Sequence, residues 1–336
     1  MIFDKGNPFG AYQIVNKCND LCKTKEDSST PIGQRFFALE VIGKLYLELG
    51  RLLGSCFPDT VFSLLKSLKL SESSRAECLN ALTNLIIGLE ASAAMKHQEI
   101  YKNVRPYLAN SDAEVRSAAA LCVAQLCSKY SALVSTTEVE YLFQISLRQM
   151  NDKSSSKAFS SLLASLSVAR LDPTITLTGK LRKPTRDELF SYLKLSFLTG
   201  SCVQKRELIS KNVSSRHVKS GVAEAHVQFI RKMKSDWLEG NLATFLSHVL
   251  SLLLDPKVSA ATHQESLHAT QCIKQIFNHT LDQLLSEKAQ LQAIKYLGNF
   301  IIQNGSLVDE DVVTGHALVA AMQGNPTITV MVTKLN

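Results

Sequence analysis

The chain has 336 residues, of which 45% are hydrophobic and 20% charged, with a formal net charge of +7. That apolar content builds a core and excludes a disordered chain. Fifteen glycines, eight prolines and 7% aromatics give too little turn punctuation and too few strand-favouring side chains for a sandwich or barrel. One Trp and eight scattered cysteines (Cys18, Cys22, Cys56, Cys78, Cys122, Cys127, Cys202 and Cys272) exclude a small disulfide scaffold, so composition reads as soluble, helical and intracellular.

The first twenty residues carry Asp4, Lys5, Lys17 and Asp20 and have no apolar core of a signal peptide. Glycosylation triplets at Asn212, Asn278 and Asn304 are therefore read as chance matches. The longest uncharged apolar run, Leu242–Leu254, falls short of the roughly twenty residues of a membrane span.

Helical spacing then recurs along the chain. Taking Arg35 as an anchor, offsets of three, seven and ten give Ala38, Ile42 and Leu45. The same offsets from Arg75 give Cys78, Leu82 and Leu85, and from Arg116 give Ala119, Val123 and Leu126. Ser156 gives Phe159, Leu163 and Leu166; Lys219 gives Val222, His226 and Phe229, with His226 the one misfit. These offsets lie on one helical face, so each anchor opens an amphipathic helix. The anchors are 40, 41, 40 and then 63 residues apart.

A second helix precedes each anchor: Phe9–Lys23, Asp59–Lys69, Gln98–Leu108, Glu138–Gln149 and Arg186–Leu198, with Leu242–Leu254 beginning the next pair. Polar junctions at Lys25–Thr30, Ser71–Ser74, Asn110–Asp112 and Asn151–Ser155 separate the two helices of a pair. Gly50 and Gly54 close one helix and Pro58 starts the next. The long step is expected to hold two loop insertions, 172–183 and 201–215. Glu287–Gln303 and Asp309–Met322 read as a further pair, and Pro326–Asn336 as a short β-prone tail.

A two-helix unit of about forty residues cannot bury its own apolar faces and must lean on its neighbours. The expected fold class is all-α, an α-solenoid of two-helix repeats forming one array over 1–336. No polar capping repeat is recognisable at either end, which implies a piece of a longer array or an incomplete gene model. Tyr101–Ala120 resembles a HEAT repeat: Pro106 bends the first helix, Asp112 caps the second, Val115 points inward, and Arg116 reaches for a neighbouring repeat's acidic turn residue. A tetratricopeptide array would need a 34-residue period.

Charge is unevenly spread. Lys180–Lys234 holds thirteen Lys and Arg against four acids, a net +9, so the remainder nets about −2. Lys205, Arg206, Lys211, Arg216 and Lys219 are the candidate partner-binding residues, for an acidic protein segment or an anionic membrane surface. Aromatic residues are not interleaved with them, which argues against single-stranded nucleic acid.

Motifs of chemistry are missing. Cys18 and Cys22 share a helix face without a second ligand pair. His263 and His268 are not an HExxH arrangement, and His226 and His248 fall among apolar residues. No phosphate loop, dinucleotide fingerprint or nucleophile elbow occurs. No catalytic residue, metal site or cofactor is expected, and the rival of a hydrolase hidden in a helical scaffold would need a pocket with convergent polar groups.

Several segments resemble the HEAT repeat-containing protein 5 family. They are Lys17–Asp20, Gly50–Val61 with Leu64–Lys69, Glu99–Asn103, Ala243–Leu250 and Glu287–Gln290. The resemblance runs to about residue 305. It implies a large cytosolic HEAT scaffold, peripheral on endosomes and the trans-Golgi network, associated with aftiphilin and gamma-synergin and through them with the clathrin adaptor complex. The implied work is endosomal and trans-Golgi sorting, endocytosis and retrograde endosome-to-Golgi transport. The alternative is a nuclear transport receptor or its adaptor, which is also a helical solenoid.

Overall fold

A computed structural model describes residues 9–24, 31–130, 136–171, 189–191, 193, 194, 197, 216–253 and 263–304. The expected insertions 172–183 and 201–215, the pair member Asp309–Met322 and the tail Pro326–Asn336 lie outside them. The described residues are all-helical. Packing divides them into two units, one up to Ile145 and one from Ser146 onward.

The first unit holds α1 (Phe9–Lys23), α2 (Ile32–Leu49), α3 (Phe57–Leu70), α4 (Arg75–Leu89), α5 (His97–Val104), α6 (Ala113–Tyr130) and the start of α7 (Thr136–Gln149). Tight 3-10 segments follow α2 (Gly50–Cys56), α4 (Glu90–Met95) and α5 (Arg105–Ala109). Helices α1, α3 and α5 pack in succession as one layer, and α2, α4 and α6 as a second. The offset stripe is the seam between the layers. Ala38, Ile42, Cys78, Leu82, Leu85, Ala119 and Val123 are fully buried, and Leu126 nearly so. Each fully buried leucine contributes about 2 kcal/mol. Leu45 is the exception; Tyr46, one position on, takes its place in the core.

Hydrogen bonds between neighbouring pairs set the register. Asn19 Nδ2 donates to Thr60 Oγ1, 41 residues on, in the buried interior. Tyr12 donates to the Leu52 carbonyl at a separation of 40, Tyr107 to the Leu68 carbonyl at 39, and Tyr101 to Glu138 at 37. Arg51 pairs with Glu90, 39 residues on. A fixed chain separation for bonds between successive pairs is the structural counterpart of the sequence period.

The anchor arginines tie the junction inside their own pair. Arg35 donates to the Thr24 carbonyl and Arg75 pairs with Glu72. Arg116 donates to the carbonyls of Asn110 and Ser111, satisfying acceptors at the end of the preceding helix. Asp112 Oδ1 accepts from the Glu114 amide, an N-cap bond. Val115 is 4% exposed. At Pro106 the α-helical backbone has already tightened into the 3-10 segment.

Two glycines bring α2 and α4 together. Gly50, at φ 20, caps α2 by donating to the Tyr46 carbonyl, and the same carbonyl is crowded by Gly88 of α4. A Cβ on Gly88 would fall inside the Tyr46 carbonyl, and one on Gly50 inside the Gly88 carbonyl. Gly54 has open space and no such constraint. Glu90 stands 40 residues after Gly50 at the same helix-ending position, with φ 49 and ψ −126, a conformation costly for a residue with a side chain.

The second unit holds α8 (Lys153–Leu171), α9 (Arg216–Gly240), α10 (Leu242–Leu253), α11 (His263–Asp282) and α12 (Glu287–Asn304). Helices α8, α9 and α11 pack in succession, as do α10 and α12. The close approach of α8 and α9 rests on Gly221, whose carbonyl accepts from Ser160 Oγ at 2.9 Å and whose missing Cβ makes room for Met150. Bonds between successive pairs here are longer in sequence, at 61 residues from α8 to α9 and 46 to 52 beyond it. Among the described residues no helix is long and apolar enough to cross a membrane.

Candidate functional site

The proposed basic surface is only partly within the described residues. Lys205, Arg206 and Lys211 lie outside them. Arg216 and Lys219 occupy the first turn of α9, and there they differ. Arg216 is exposed and donates to Gln264 of α11 at 3.3 Å. Lys219 is 6% exposed, and burial pushes its ammonium below the usual lysine value, partly opposed by the Glu265 carboxylate. Lys219 is therefore a core cation rather than a charge offered to a partner.

Lys219 shares its repeat position with Arg35 and Arg116, which are 3% and 9% exposed. Three of the five anchors are thus buried cations, while Arg75 is half-buried and the fourth anchor is Ser156. Lys232 is half-buried, with its ammonium also lowered by burial. Arg231 is exposed and lies 3.4 Å from His279 Nε2. Along the α9–α11 seam, Arg216–Gln264, Ser220–His268, Glu224–Gln275 and Arg231–His279 form a row of polar contacts. That row ties α9 to α11 through Arg216, Ser220, Glu224 and Arg231.

The misfit His226 is the centre of a buried polar cluster. Its Nδ1 lies 2.7 Å from the Val222 carbonyl, so that nitrogen carries the proton, and in the neutral ring Nε2 is the acceptor. His248 Nε2, 3.0 Å away, is then the donor. The His248 ring stacks on Phe190 at 4.6 Å, with Phe245 tilted against it. Burial drives His226 down to about 4. His248 is pushed well below its usual value by burial first, then by His226 and by Lys194. Both rings are neutral at pH 7, and the pair is a satisfied core network.

His268 Nε2 meets Ser220 Oγ at 3.1 Å, on the α9–α11 seam rather than in a closed pocket. His263 begins α11. Cys18 and Cys22 are both buried in α1. Among the described residues no group of three or more His, Cys, Asp or Glu is placed to hold a metal ion. No protein-family model and no solved structure matches the chain.

Proposed function

We propose that the chain is a non-catalytic scaffold, an α-solenoid of HEAT-like repeats that binds other proteins along its stacked helices. The observation that carries the reading is the register of hydrogen bonds at 37 to 41 residues in the first unit, which joins one helix pair to the next. Pairs held in such a register present a long surface with grooves between helices, where a partner's segment is anchored by a few side chains. The trafficking assignment rests on the resemblance of Gly50–Val61, Ala243–Leu250 and the other segments to the HEAT repeat-containing protein 5 family. On that reading the partners are aftiphilin- and gamma-synergin-like accessory proteins and the clathrin adaptor complex. The site of action is the cytoplasmic face of endosomes and the trans-Golgi network, where the chain serves endocytosis, protein localisation and retrograde transport.

The test is a charge reversal that leaves Lys219 in place, because that side chain is part of the core. Lys205→Glu, Arg206→Glu, Lys211→Glu and Arg216→Glu together are expected to reduce co-precipitation of the accessory proteins while helical circular dichroism is unchanged. Undiminished capture by the folded variant removes the basic segment from the interface. Proximity labelling in cells reads the wider assignment: adaptor neighbours support it, and nuclear pore components favour the transport-receptor alternative.

A further inference from the structure

Helix α2 carries a stripe of side chains turned away from α4. Gln34, Phe37, Val41, Leu45 and Glu48 follow one another at steps of three and four, so they share one face. Val41 lies two residues, about 200°, around the helix from Gly43, which faces Ala81 of α4. The stripe is open: Phe37 is 66% exposed, Val41 and Leu45 are half-buried, and Gln34 and Glu48 are exposed. Forty residues on, the same positions of α4 are Ser74, Glu77, Ala81, Leu85 and Gly88. There Ala81 and Leu85 are buried, because that side of α4 packs against α2. The α2 stripe is thus the docking face of the repeat with no helix on it among the described residues.

The stripe departs from the α4 pattern where packing is closest. Gly88 admits α2 to backbone contact, and a Cβ there would fall inside the Tyr46 carbonyl. Glu48 stands at that position in α2, which closes the same approach to another helix of the repeat. The stripe has instead a symmetry of its own. Counted from Val41, Phe37 and Leu45 lie four residues to either side, and Gln34 and Glu48 seven. Polar, large apolar, β-branched, large apolar, polar reads the same from both ends. Glu48 is in the last turn of α2, the end of a helix that disfavours a carboxylate, and it has no hydrogen bond or ion pair among the described residues. Gln34 is in the first turn, where Pro31 supplies no side-chain cap, and its side-chain amide is equally unengaged. Each end of the stripe lacks what the other end carries.

We propose that this face of α2 receives the same face of a second copy of the chain, the two helices antiparallel about a two-fold axis at Val41. Val41 then meets its own counterpart, and Phe37 packs on Leu45 of the second copy. The Gln34 side-chain amide donates to the Glu48 carboxylate of the second copy, which also faces the uncapped N-terminal amides of α2. Each contact occurs twice, as an isologous interface requires. A seam of one helix on its copy belongs with the small interfaces, below about 1,200 Å² in total, so the association is weak and reversible. The inference stands on α2 alone and does not require the trafficking assignment or the basic segment.

Sedimentation velocity of the full chain across the micromolar range tests it. A monomer–dimer equilibrium is expected, and Phe37→Glu is expected to raise its dissociation constant about tenfold or more, because it sets a charge against Leu45 at the seam. Glu48→Lys is expected to weaken the dimer, and Glu48→Lys with Gln34→Glu to restore it, since the two ends then complement each other with the signs exchanged. The axis is read by Val41→Cys, which under mild oxidation is expected to link two chains faster than the wild-type cysteines do. Phe62→Cys on α3, a more exposed position than Val41, is expected to link no faster than wild type. A chain monomeric throughout, a dimer that Phe37→Glu leaves intact, a double variant no tighter than Glu48→Lys, or Phe62→Cys linking as fast as Val41→Cys overturns the proposal. Helical circular dichroism of each variant separates loss of association from loss of fold, and if Phe37→Glu unfolds, Phe37→Gln must produce the weakening instead.

Discussion

His226 Nε2 lies 3.0 Å from His248 Nε2, with the two rings 1% and 7% exposed. Burial keeps both rings neutral, and a proton added to His226 Nε2 would place a charge in the core and force His248 into its other tautomer. In the unfolded chain these rings take up protons near pH 6.5, whereas in the fold His226 resists until about 4. The unfolded state thus binds more protons between those values, and stability falls as pH drops through that window. Above pH 6.5 the pair contributes no pH dependence.

His226 alone accounts for about 3 kcal/mol of loss by pH 4, an order-of-magnitude figure. Burial lowers His97 and His268 as well, so they act in the same direction. Urea midpoints at pH 7.5, 6.0 and 5.0 should fall in sequence. His226→Leu alone leaves the His248 donor unsatisfied and should cost about 1–3 kcal/mol. His226→Leu with His248→Phe should recover most of that loss and flatten the profile. A wild-type midpoint unchanged from pH 7.5 to 5.0 would show that the rings are not held neutral.

Gly88 carries a different kind of constraint. It lies within a helix, where glycine is normally a liability of about 1 kcal/mol relative to alanine. Here that preference is overridden, because the Tyr46 carbonyl occupies the space a Cβ would need. Gly88→Ala should force α2 and α4 apart and cost upward of about 3 kcal/mol, in the range of severe overpacking. Gly54→Ala, with nothing nearby and no positive φ, should be neutral or stabilising by a few tenths of a kcal/mol up to about 1. Thermal melts of the two variants separate the readings, and equal melting temperatures would contradict the close approach.

The contrast between Gly54 and Gly88 shows where sequence reading reached and where it stopped. Offsets of three, seven and ten from Arg75 and Arg116 pick out buried residues because helical periodicity is local. Asp112 is legible as a cap for the same reason. Gly88 is not legible, since nothing in its neighbours announces that a second helix comes within backbone contact. Leu45 yields its core place to Tyr46 because the stripe drifts around a helix of 3.6 residues per turn. Lys219 was misread as surface because counting charges ignores register.

Glu90 offers a test of stored backbone strain. It ends α4 with φ 49, where Gly50 ends α2 with φ 20. Its exposed carboxylate pairs with Arg51, which holds it below the usual carboxylate range. The pair is solvent-facing on both sides and screened, so it contributes little. Glu90→Gly should therefore raise the melting temperature even though it deletes the ion pair, because glycine relieves the torsion. The gain should persist at high salt. A lower melting temperature for Glu90→Gly would mean that the Arg51 contact outweighs the strain.

The cysteines give a chemical readout of the core. Cys18, Cys22, Cys56, Cys78, Cys122, Cys127 and Cys272 are free thiols. Burial pushes Cys22, Cys122 and Cys127 up to about 12, and raises Cys78, Cys18 and Cys272 as well. A thiol at that value is almost wholly protonated at pH 7.5, and the thiolate is the nucleophile. Burial raises the Cys56 thiol too, but Cys56 alone of the seven is half-buried, in the 3-10 segment after α2. Among these seven, iodoacetamide at pH 7.5 should therefore modify the more accessible Cys56 first, with the other six reacting only as the protein opens. Peptide mapping by mass spectrometry over a time course reads this directly, and added zinc should leave the rates at Cys18 and Cys22 unchanged. If those two labelled as fast as Cys56, or were protected by zinc, helix α1 would not be packed with its thiols inward, and the α1 end of the first layer would have to be redrawn.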